Sequence, residues 1–286
     1  MIGAVGDVVE DIAVRLLGPI QTAADTDATI VRRRGGSAAN LAVSVARAGH
    51  AARFIGQIGS DSVGDAMLTA LRDDGVDVTG HRGGRSGSIV VLLDHAGERT
   101  MLTDRGCCAD LDHPDPEWLD GLTTLHVPVY SLVGEPLART ATTLALWSHD
   151  RGITVSVDAS SSSVIDAFGV DALVDVLRRV RPFVLFCNEA EAELLGRWVD
   201  PGSIGATVTV VKHGALPAEI LQHGLAPLRV PALSVANVLD TTGAGDAFAA
   251  GFLVALANGS SPVAATTFGH QSAARTIAAV SAAASG

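Results

Sequence analysis

Short apolar runs alternate with longer segments of helical period along most of the chain. Residues 35–49 form one such helical segment, which opens on two glycines and places Leu41, Val45 and Ala48 on a single stripe. The runs that are typical of buried strands cover residues 2–8, 52–59, 154–158, 183–187 and 207–214. A repeated β-then-α order predicts an α/β fold with a mostly parallel central sheet and helices on both faces. Ligands of such sheets bind beyond the carboxyl ends of the strands.

One block interrupts this alternation. Residues 87–104 form two β-rich runs joined by a polar turn at His95–Ala96–Gly97, which predicts a hairpin. The apolar segment that follows Asp11 could pair with it. We therefore expect a single domain over 1–286, with a small β-sheet lid built from segments near 11–34 and 81–105. An apolar outer face on this lid would offer a surface for a homodimer.

Composition narrows the classes of function. The net charge of −11 argues against a nucleic-acid partner, because such proteins need a basic surface. No apolar run has membrane-spanning length without Gly, Pro or charge, and the first residues lack the basic segment of a secretion signal, so we expect a soluble chain. Three cysteines, two of them adjacent, match neither a disulfide framework nor a zinc site, which favours the cytoplasm. The only basic run, 32–34, is either a solvated turn or a contact for an anionic substrate.

The stretch DTTGAGDAF, residues 240–248, carries the clearest chemistry. Its glycines let backbone amides face outward, and the helix predicted to follow adds its positive end, so together they form an anion site. Asp246 falls in the first turn of that helix, where it could accept a proton from an alcohol. The alternative is an ordinary glycine turn with a helix-start acid. The chain contains neither a P-loop motif nor the catalytic loop of protein kinases.

Four segments in order resemble the signatures of the ribokinase-like, or PfkB, family of carbohydrate kinases. They are GGSAANLAVSVARAG at 35–49, GQIGSDSVGDAM at 56–67, NEAE at 188–191 and DTTGAGDAFAAGF at 240–252. The resemblance implies a ribokinase-like fold and the ATP-dependent phosphorylation of a hydroxymethyl group. The implied acceptors are a sugar of the ribokinase, fructokinase or 2-keto-3-deoxygluconate kinase type. A nucleoside kinase and a catalytically silent sugar-binding regulatory protein are the alternatives.

The resemblance also implies roles for the residues of these motifs. Asp246 becomes the general base, and the backbone of Gly243, Ala244 and Gly245 becomes the anion hole. Substrate contacts fall on Asp11, Gly35, Gly36 and Asn40. Nucleotide contacts fall on Asn188, Lys212, Gly214, Thr242 and Gly245.

Cations are implied at two positions. Glu191 and Asn188 resemble the pair that organises Mg²⁺ through water, a role that suits hard oxygen ligands. Asp240 and Thr242 match positions near a monovalent-cation site, for K⁺, in some members of the family.

The sequence departs from the family's pattern at two positions, one of which bears on the substrate and the other on the nucleotide. Two arginines also bear on the substrate. The segment after Asp158 lacks the proline, asparagine and arginine that often follow this aspartate in relatives. Before Gly214, Lys212 and His213 stand where many members have an apolar residue or threonine. Arg99 and Arg105 lie on or just after the predicted hairpin, and we expect Arg105 to contact the substrate. If they face the cleft they would bind a carboxylate or phosphate, and if they face water a neutral sugar is expected.

Overall fold

The computed structural model describes residues 1–93 and 99–285. It contains two separate β-sheets, and helices cover both faces of the larger one. Within these ranges the larger sheet has nine strands and the smaller has four. The strands are β1 Ile2–Val5, β2 Val9–Leu16, β3 Ala28–Gly35, β4 Ala52–Ile58, β5 Val76–Arg82, β6 Gly87–Leu93, β7 Arg99–Asp104, β8 Thr124–Pro128, β9 Thr154–Asp158, β10 Val184–Asn188, β11 Val208–Lys212, β12 Ala218–Leu221 and β13 Leu228–Val230. The helices are α1 Ser37–Arg47, α2 Ser62–Asp73, α3 Leu137–Asp150, α4 Ser162–Phe168, α5 Val170–Val180, α6 Glu189–Leu195, α7 Pro201–Ile204, α8 Ala244–Ala257 and α9 Pro262–Ser285.

The larger sheet has the order β13-β12-β11-β10-β9-β8-β1-β4-β5. The seven strands from β11 to β5 in this order run parallel, and β12 and β13 add an antiparallel edge. The carboxyl ends of the seven parallel strands therefore meet at one edge of the sheet, where ligands of such folds bind. The predicted α/β fold class is confirmed.

Two apolar layers cover the faces of this sheet. One packs α1, α2, α8 and α9 against Ile2, Phe54 and Phe186, and the other packs α3 to α6 against Val5 and Leu125. Phe186 meets Phe252 of α8 edge to face, with ring centroids 5.1 Å apart. Because successive strand residues point to opposite faces, strands buried on both sides read as nearly continuous apolar runs.

Helix α2 shows how local sequence sets the limits of an element. Asp61 caps its start, since the carboxylate accepts a hydrogen bond from the backbone N–H of Gly64 at 2.8 Å. Gly75, just past its end, has φ +79, a left-handed conformation that glycine adopts without steric cost. Helix α2 therefore begins and ends at local signals that can be recognised in the sequence.

The smaller sheet has the order β3-β2-β6-β7. Strand β2 pairs antiparallel with β3, which sets Asp11 opposite Arg33, and parallel with β6, which pairs antiparallel with β7. This sheet is built from the two segments that break the βα alternation of the sequence. The turn predicted at His95–Ala96–Gly97 lies outside the described residues.

None of the helices within residues 1–93 and 99–285 combines the length and the apolar character needed to cross a membrane. The three cysteines are buried and unpaired. Cys108 packs against the loop between β1 and β2, where its Sγ donates a hydrogen bond to the carbonyl oxygen of Val8.

Candidate active site

The start of helix α8 lies at the centre of the site. Gly243 precedes the helix with φ +75, a conformation that residues with a Cβ rarely adopt, and Ala244 begins the helix. The amides of residues 243–245 lie at the positive end of the helix, where the anion hole is predicted, and the Ala244 N–H donates to the carbonyl oxygen of Thr241 at 3.1 Å. Asp246 follows within the first turn and is partly buried.

The Asp246 carboxylate is held by two side chains of helix α1. Ser37 donates its hydroxyl to Oδ1 at 2.6 Å, and Asn40 donates Nδ2 to Oδ2 at 3.1 Å. Burial raises the pKa of Asp246 to about 6, although both hydrogen bonds act in the opposite direction. The carboxylate is thus fixed in position and becomes a stronger base than an exposed aspartate.

Ser37 is a site residue that the sequence interpretation missed. It stands three positions before Asn40, and helix residues three apart share a face, so the same face of α1 presents both groups to Asp246. That spacing in GGSAAN was the available signal. Asn40 in turn accepts a hydrogen bond on Oδ1 from Arg34 Nη1 at 3.0 Å.

The two glycines before α1 are fixed by close packing. A Cβ at Gly35 would collide with the carboxyl group of Asp11, and one at Gly36 would collide with the backbone oxygen of Asp7. Gly36 also has φ +96. The backbone of this turn therefore approaches Asp7 and Asp11 as only glycine allows, and Asp11 and Gly35, both predicted to contact the substrate, lie side by side.

Lys212, at the end of β11, forms an ion pair with Asp158, at the end of β9. Its Nζ lies 2.7 Å from Asp158 Oδ2 and 5.9 Å from the centroid of the Phe186 ring. Burial acts to lower the pKa of Lys212, but the Asp158 carboxylate outweighs it and the pKa is raised. A Cβ on Gly245 would lie 3.5 Å from this ammonium, so Lys212 brings a positive charge to the start of α8. The sequence does not predict the pairing of Asp158 with Lys212.

Asn188 and Glu191 form a reciprocal capping box at the start of helix α6. Glu191 accepts from the backbone N–H and the Nδ2 of Asn188, both at 2.8 Å, and its own N–H donates to Asn188 Oδ1 at 2.9 Å. Glu191 is buried, and burial raises its pKa, with the charge of Asp158 adding to the effect. Gly214, a further predicted nucleotide contact, lies in the turn after β11 with φ +60.

The carboxylates of this region do not converge on a common point. Among the described residues there is no group of three His, Cys, Asp or Glu side chains arranged to hold a metal. Since both oxygens of Glu191 are engaged by Asn188, these residues fit Mg²⁺ through bound water and not as a direct protein cage.

Asp240 and Thr242, predicted near a monovalent cation, form a local turn. Asp240 Oδ1 accepts from the backbone N–H of Thr242 at 2.8 Å and from its hydroxyl at 2.6 Å. Its Oδ2 accepts from Arg33 at 3.3 Å. A guanidinium thus supplies positive charge at this carboxylate, and activation by K⁺ stays a prediction.

Arg105 is engaged by a carboxylate of its own chain. Its Nε and Nη2 donate to the two oxygens of Asp7 at 2.8 and 2.7 Å, a bidentate geometry. This pair joins the residue after β7 to the loop after β1. The side chain of Arg99 lies outside the described part of the chain. Whether an arginine near the hairpin faces the cleft can therefore be asked only of Arg105.

A cavity of about 460 Å³ opens beside these groups, between helices α1 and α9, the small sheet and the turn before α8. Its lining includes Asp11, Asn40, Thr242 and Gly243. Residues predicted to contact the sugar and residues predicted to form the anion hole therefore face one space.

Comparison with known proteins agrees with this geometry. The model of the pfkB family of carbohydrate kinases matches residues 2–285. The chain belongs to the pfkB family. A fructokinase of Klebsiella pneumoniae is 33% identical over 249 residues, which are 82% of this chain and 80% of that protein. A probable chloroplastic fructokinase-6 of Arabidopsis thaliana is 30% identical over 78% of this chain, and the match spans 62% of the plant protein's length.

The fold is also that of a solved structure. A putative ribokinase II from E. coli, in complex with ATP and Mg²⁺, superposes with a TM-score of 0.81 at 23% identity, over 97% of this chain and 92% of that one. This chain is a carbohydrate kinase with the ribokinase-like fold, a phosphotransferase that acts on an alcohol group.

Proposed function

We propose that this pfkB protein transfers the γ-phosphoryl group of ATP to a hydroxymethyl group of a small sugar, with Asp246 as general base. The observation that carries the proposal is the position of Asp246. It is partly buried in the first turn of α8, held by Ser37 and Asn40, and has a pKa raised to about 6. A base with a pKa near the working pH is efficient, because it is ionised and still accepts a proton readily.

The groups at the start of helix α8 would act on the two reacting partners, the attacking hydroxyl and the transferring phosphoryl group. On one side, Asp246 accepts the proton of the attacking hydroxyl. On the other, the amides of Gly243, Ala244 and Gly245 and the positive helix end stabilise the charge that spreads over the transferring phosphoryl oxygens. Lys212 adds a positive charge near Gly245.

The nucleotide would lie along the ends of β10 and β11, where Asn188, Lys212 and Gly214 are found. The E. coli neighbour was solved with ATP and Mg²⁺, which supports this co-substrate and this ion. When bound, Mg²⁺ would neutralise phosphate charge. The Asn188–Glu191 pair would hold its water through an acceptor that the capping box keeps in place.

We also propose that the small sheet is a lid on a single domain spanning 1–286. It brings Asp11, Arg33 and Arg34 to the cavity, so a bound sugar would contact both sheets. Exposed apolar side chains lie on both faces of its strands, Ile30 and Leu102 on one face and Val31 and Met101 on the other, and we propose that one such face pairs with a second copy in a homodimer. A cytoplasmic location fits the three unpaired cysteines.

The test is an ADP-release assay over neutral pentoses and hexoses, sugar acids, sugar phosphates and nucleosides. On the best acceptor, Asp246→Asn should lower kcat by about 10²- to 10⁴-fold, the usual contribution of a general base. Asp171→Asn, which alters an exposed first-turn acid of α5, is the matched control and should retain wild-type turnover. Removal of Mg²⁺ should abolish activity. Rates compared in Na⁺, K⁺ and a bulky organic cation test potassium activation.

A well-folded Asp246→Asn protein that binds ATP and turns over within a few-fold of wild type would refute the mechanism. Phosphorylation of nucleosides alone would replace the sugar by a nucleoside, and no ADP release with any acceptor would favour a silent binding protein.

A further inference from the structure

The cavity beside Asp246 is lined by an unusual share of the cations of this chain. Arg33 and Arg34 come from the end of β3, Arg47 from α1 and Arg275 from α9. The whole chain has only 20 lysines and arginines against 31 acids, yet four of the 20 surround this one space. Among the described residues, Asp11 is the one acid in the lining. The cavity is therefore locally positive in an acidic protein.

These arginines differ in how far their charge is matched by the protein. Arg33 is paired with Asp240 at 3.3 Å, and Arg47 with Asp74 at 2.8 Å. In residues 1–93 and 99–285, neither Arg34 nor Arg275 has a carboxylate within ion-pair distance. Arg34 is partly buried, and its one hydrogen bond within that part of the chain uses a single donor of the five in its guanidinium.

A chain of two hydrogen bonds links this positive region to the base. Arg34 donates to Oδ1 of Asn40, and Nδ2 of Asn40 donates to Asp246. Only the width of one amide group separates the two bonds, so Arg34 Nη1 and the Asp246 carboxylate are at most roughly 8 Å apart. That span is comparable to the length of a five- or six-carbon sugar.

We propose that Arg34 and Arg275, with Arg47 beside them, form a subsite for an anionic group on the sugar, at the end opposite the hydroxymethyl that Asp246 deprotonates. The inference rests on the proposed function, and it names the substrate class as sugar phosphates or sugar acids. A guanidinium binds either group through two parallel hydrogen bonds. The positive charge would also attract such a substrate to a protein whose net charge is −11.

The subsite resolves the two interpretations of the basic run at 32–34. The run lies within strand β3 and not in a turn, so that part of the expectation was wrong. Arg32 is exposed and lies 3.4 Å from Glu10, as a solvated surface residue would. Arg33 and Arg34 face the cavity. Arg105, the arginine first considered for an anionic substrate, is engaged by Asp7. The anionic group is therefore expected at the α1–α9 side of the cavity and not beside the hairpin.

The test measures binding by calorimetry in the presence of Mg²⁺ and a non-hydrolysable ATP analogue. The probes are ribose, ribose 1-phosphate and ribonate, and fructose with fructose 1-phosphate. Wild type should bind at least one anionic form about tenfold more tightly than its neutral counterpart, and 0.5 M NaCl should reduce the difference. Which anionic form gains distinguishes a phosphate from a carboxylate.

Arg275→Gln and Arg34→Gln should each reduce that ratio at least about threefold. Arg179→Gln makes the same charge change on an exposed face of α5, outside the cavity, and should leave the ratio unchanged. The proposal is wrong if no anionic sugar binds at millimolar concentration, if neutral and anionic forms bind wild type equally, or if the three variants behave alike. The binding ratio does not depend on turnover, whereas the proposed function fails on the activity of Asp246→Asn.

Discussion

Replacing Asp246 by asparagine should stabilise the protein at neutral pH while it removes catalysis. Burial raises the pKa of Asp246 from 3.8 to about 6. A carboxyl group whose pKa is raised on folding stabilises the folded state fully only below its unfolded pKa, and the stability is lost as pH rises through the folded value. Below pH 4 the group is protonated in both states, and above pH 6 folding carries the cost of a buried charge.

The size of the effect follows from the shift. Two pKa units correspond to about 3 kcal/mol, which is an upper bound because Asp246 is only partly buried. Asparagine carries no such charge, and its amide can still bond with Ser37. The stability of Asp246→Asn relative to wild type should therefore increase by up to about 3 kcal/mol between pH 4 and pH 8, mostly between pH 4 and pH 6. For a chain of this length that equals a relative rise in Tm of about 5 °C.

The assay is thermal and urea unfolding of both proteins at half-unit steps from pH 4 to pH 8. Asp171→Asn controls for the loss of any first-turn acid, and its difference from wild type should stay within about 0.5 kcal/mol throughout. The kcat of wild type should fall below pH 6 as the base is protonated. A stability difference between Asp246→Asn and wild type that is independent of pH, or that shrinks as pH rises, would refute the assignment of a raised pKa.

Three further changes test the contacts around the base. Ser37→Ala removes a hydrogen bond to the Asp246 carboxylate and should move the acid limb of the kcat–pH profile up by about one unit. An unmoved limb would mean that the bond is not made. Gly36→Ala should destabilise the folded protein by more than about 1 kcal/mol and raise the KM for sugar. Gly49 also has a positive φ but has open space where a Cβ would lie, so Gly49→Ala should change stability and leave KM unchanged. Equal KM values in the two variants would contradict the close-packing argument. Asp158→Asn should cost about 3 to 5 kcal/mol in urea unfolding by leaving the Lys212 ammonium without its partner, and adding Lys212→Met should recover much of that loss; no recovery would mean that the pair is not coupled.

Much of the fold is encoded locally. Strands such as β10 are buried on both faces and so appear as unbroken apolar runs, and helices such as α2 carry their own start and stop signals. The small sheet could be predicted because its segments break the alternation. Its parallel pairing of β2 with β6 could not, since pairing between distant segments depends on the assembled fold.

The site likewise contains residues that a local motif predicts and residues whose roles depend on the assembled fold. Asp246, Gly243 and Gly245 sit within one motif whose backbone requirements are local, so sequence alone could indicate an anion site with an adjacent acid. The partners of that acid come from a helix more than 200 positions earlier. Ser37 was missed because its role depends on which face of α1 is turned towards α8.

The pairing of Asp158 with Lys212 shows why the charged groups were hardest to predict. Each residue ends a parallel strand, β9 and β11, and the two strands flank β10. Neighbouring strands lie about 4.8 Å apart, so a carboxylate and a lysine two strands away can meet only above the end of the strand between them. That strand ends at Asn188, the first residue of the Asn188–Glu191 pair. Strand order therefore places a fixed ammonium beside the residues proposed to hold the nucleotide, and strand order is the property that a single sequence leaves open.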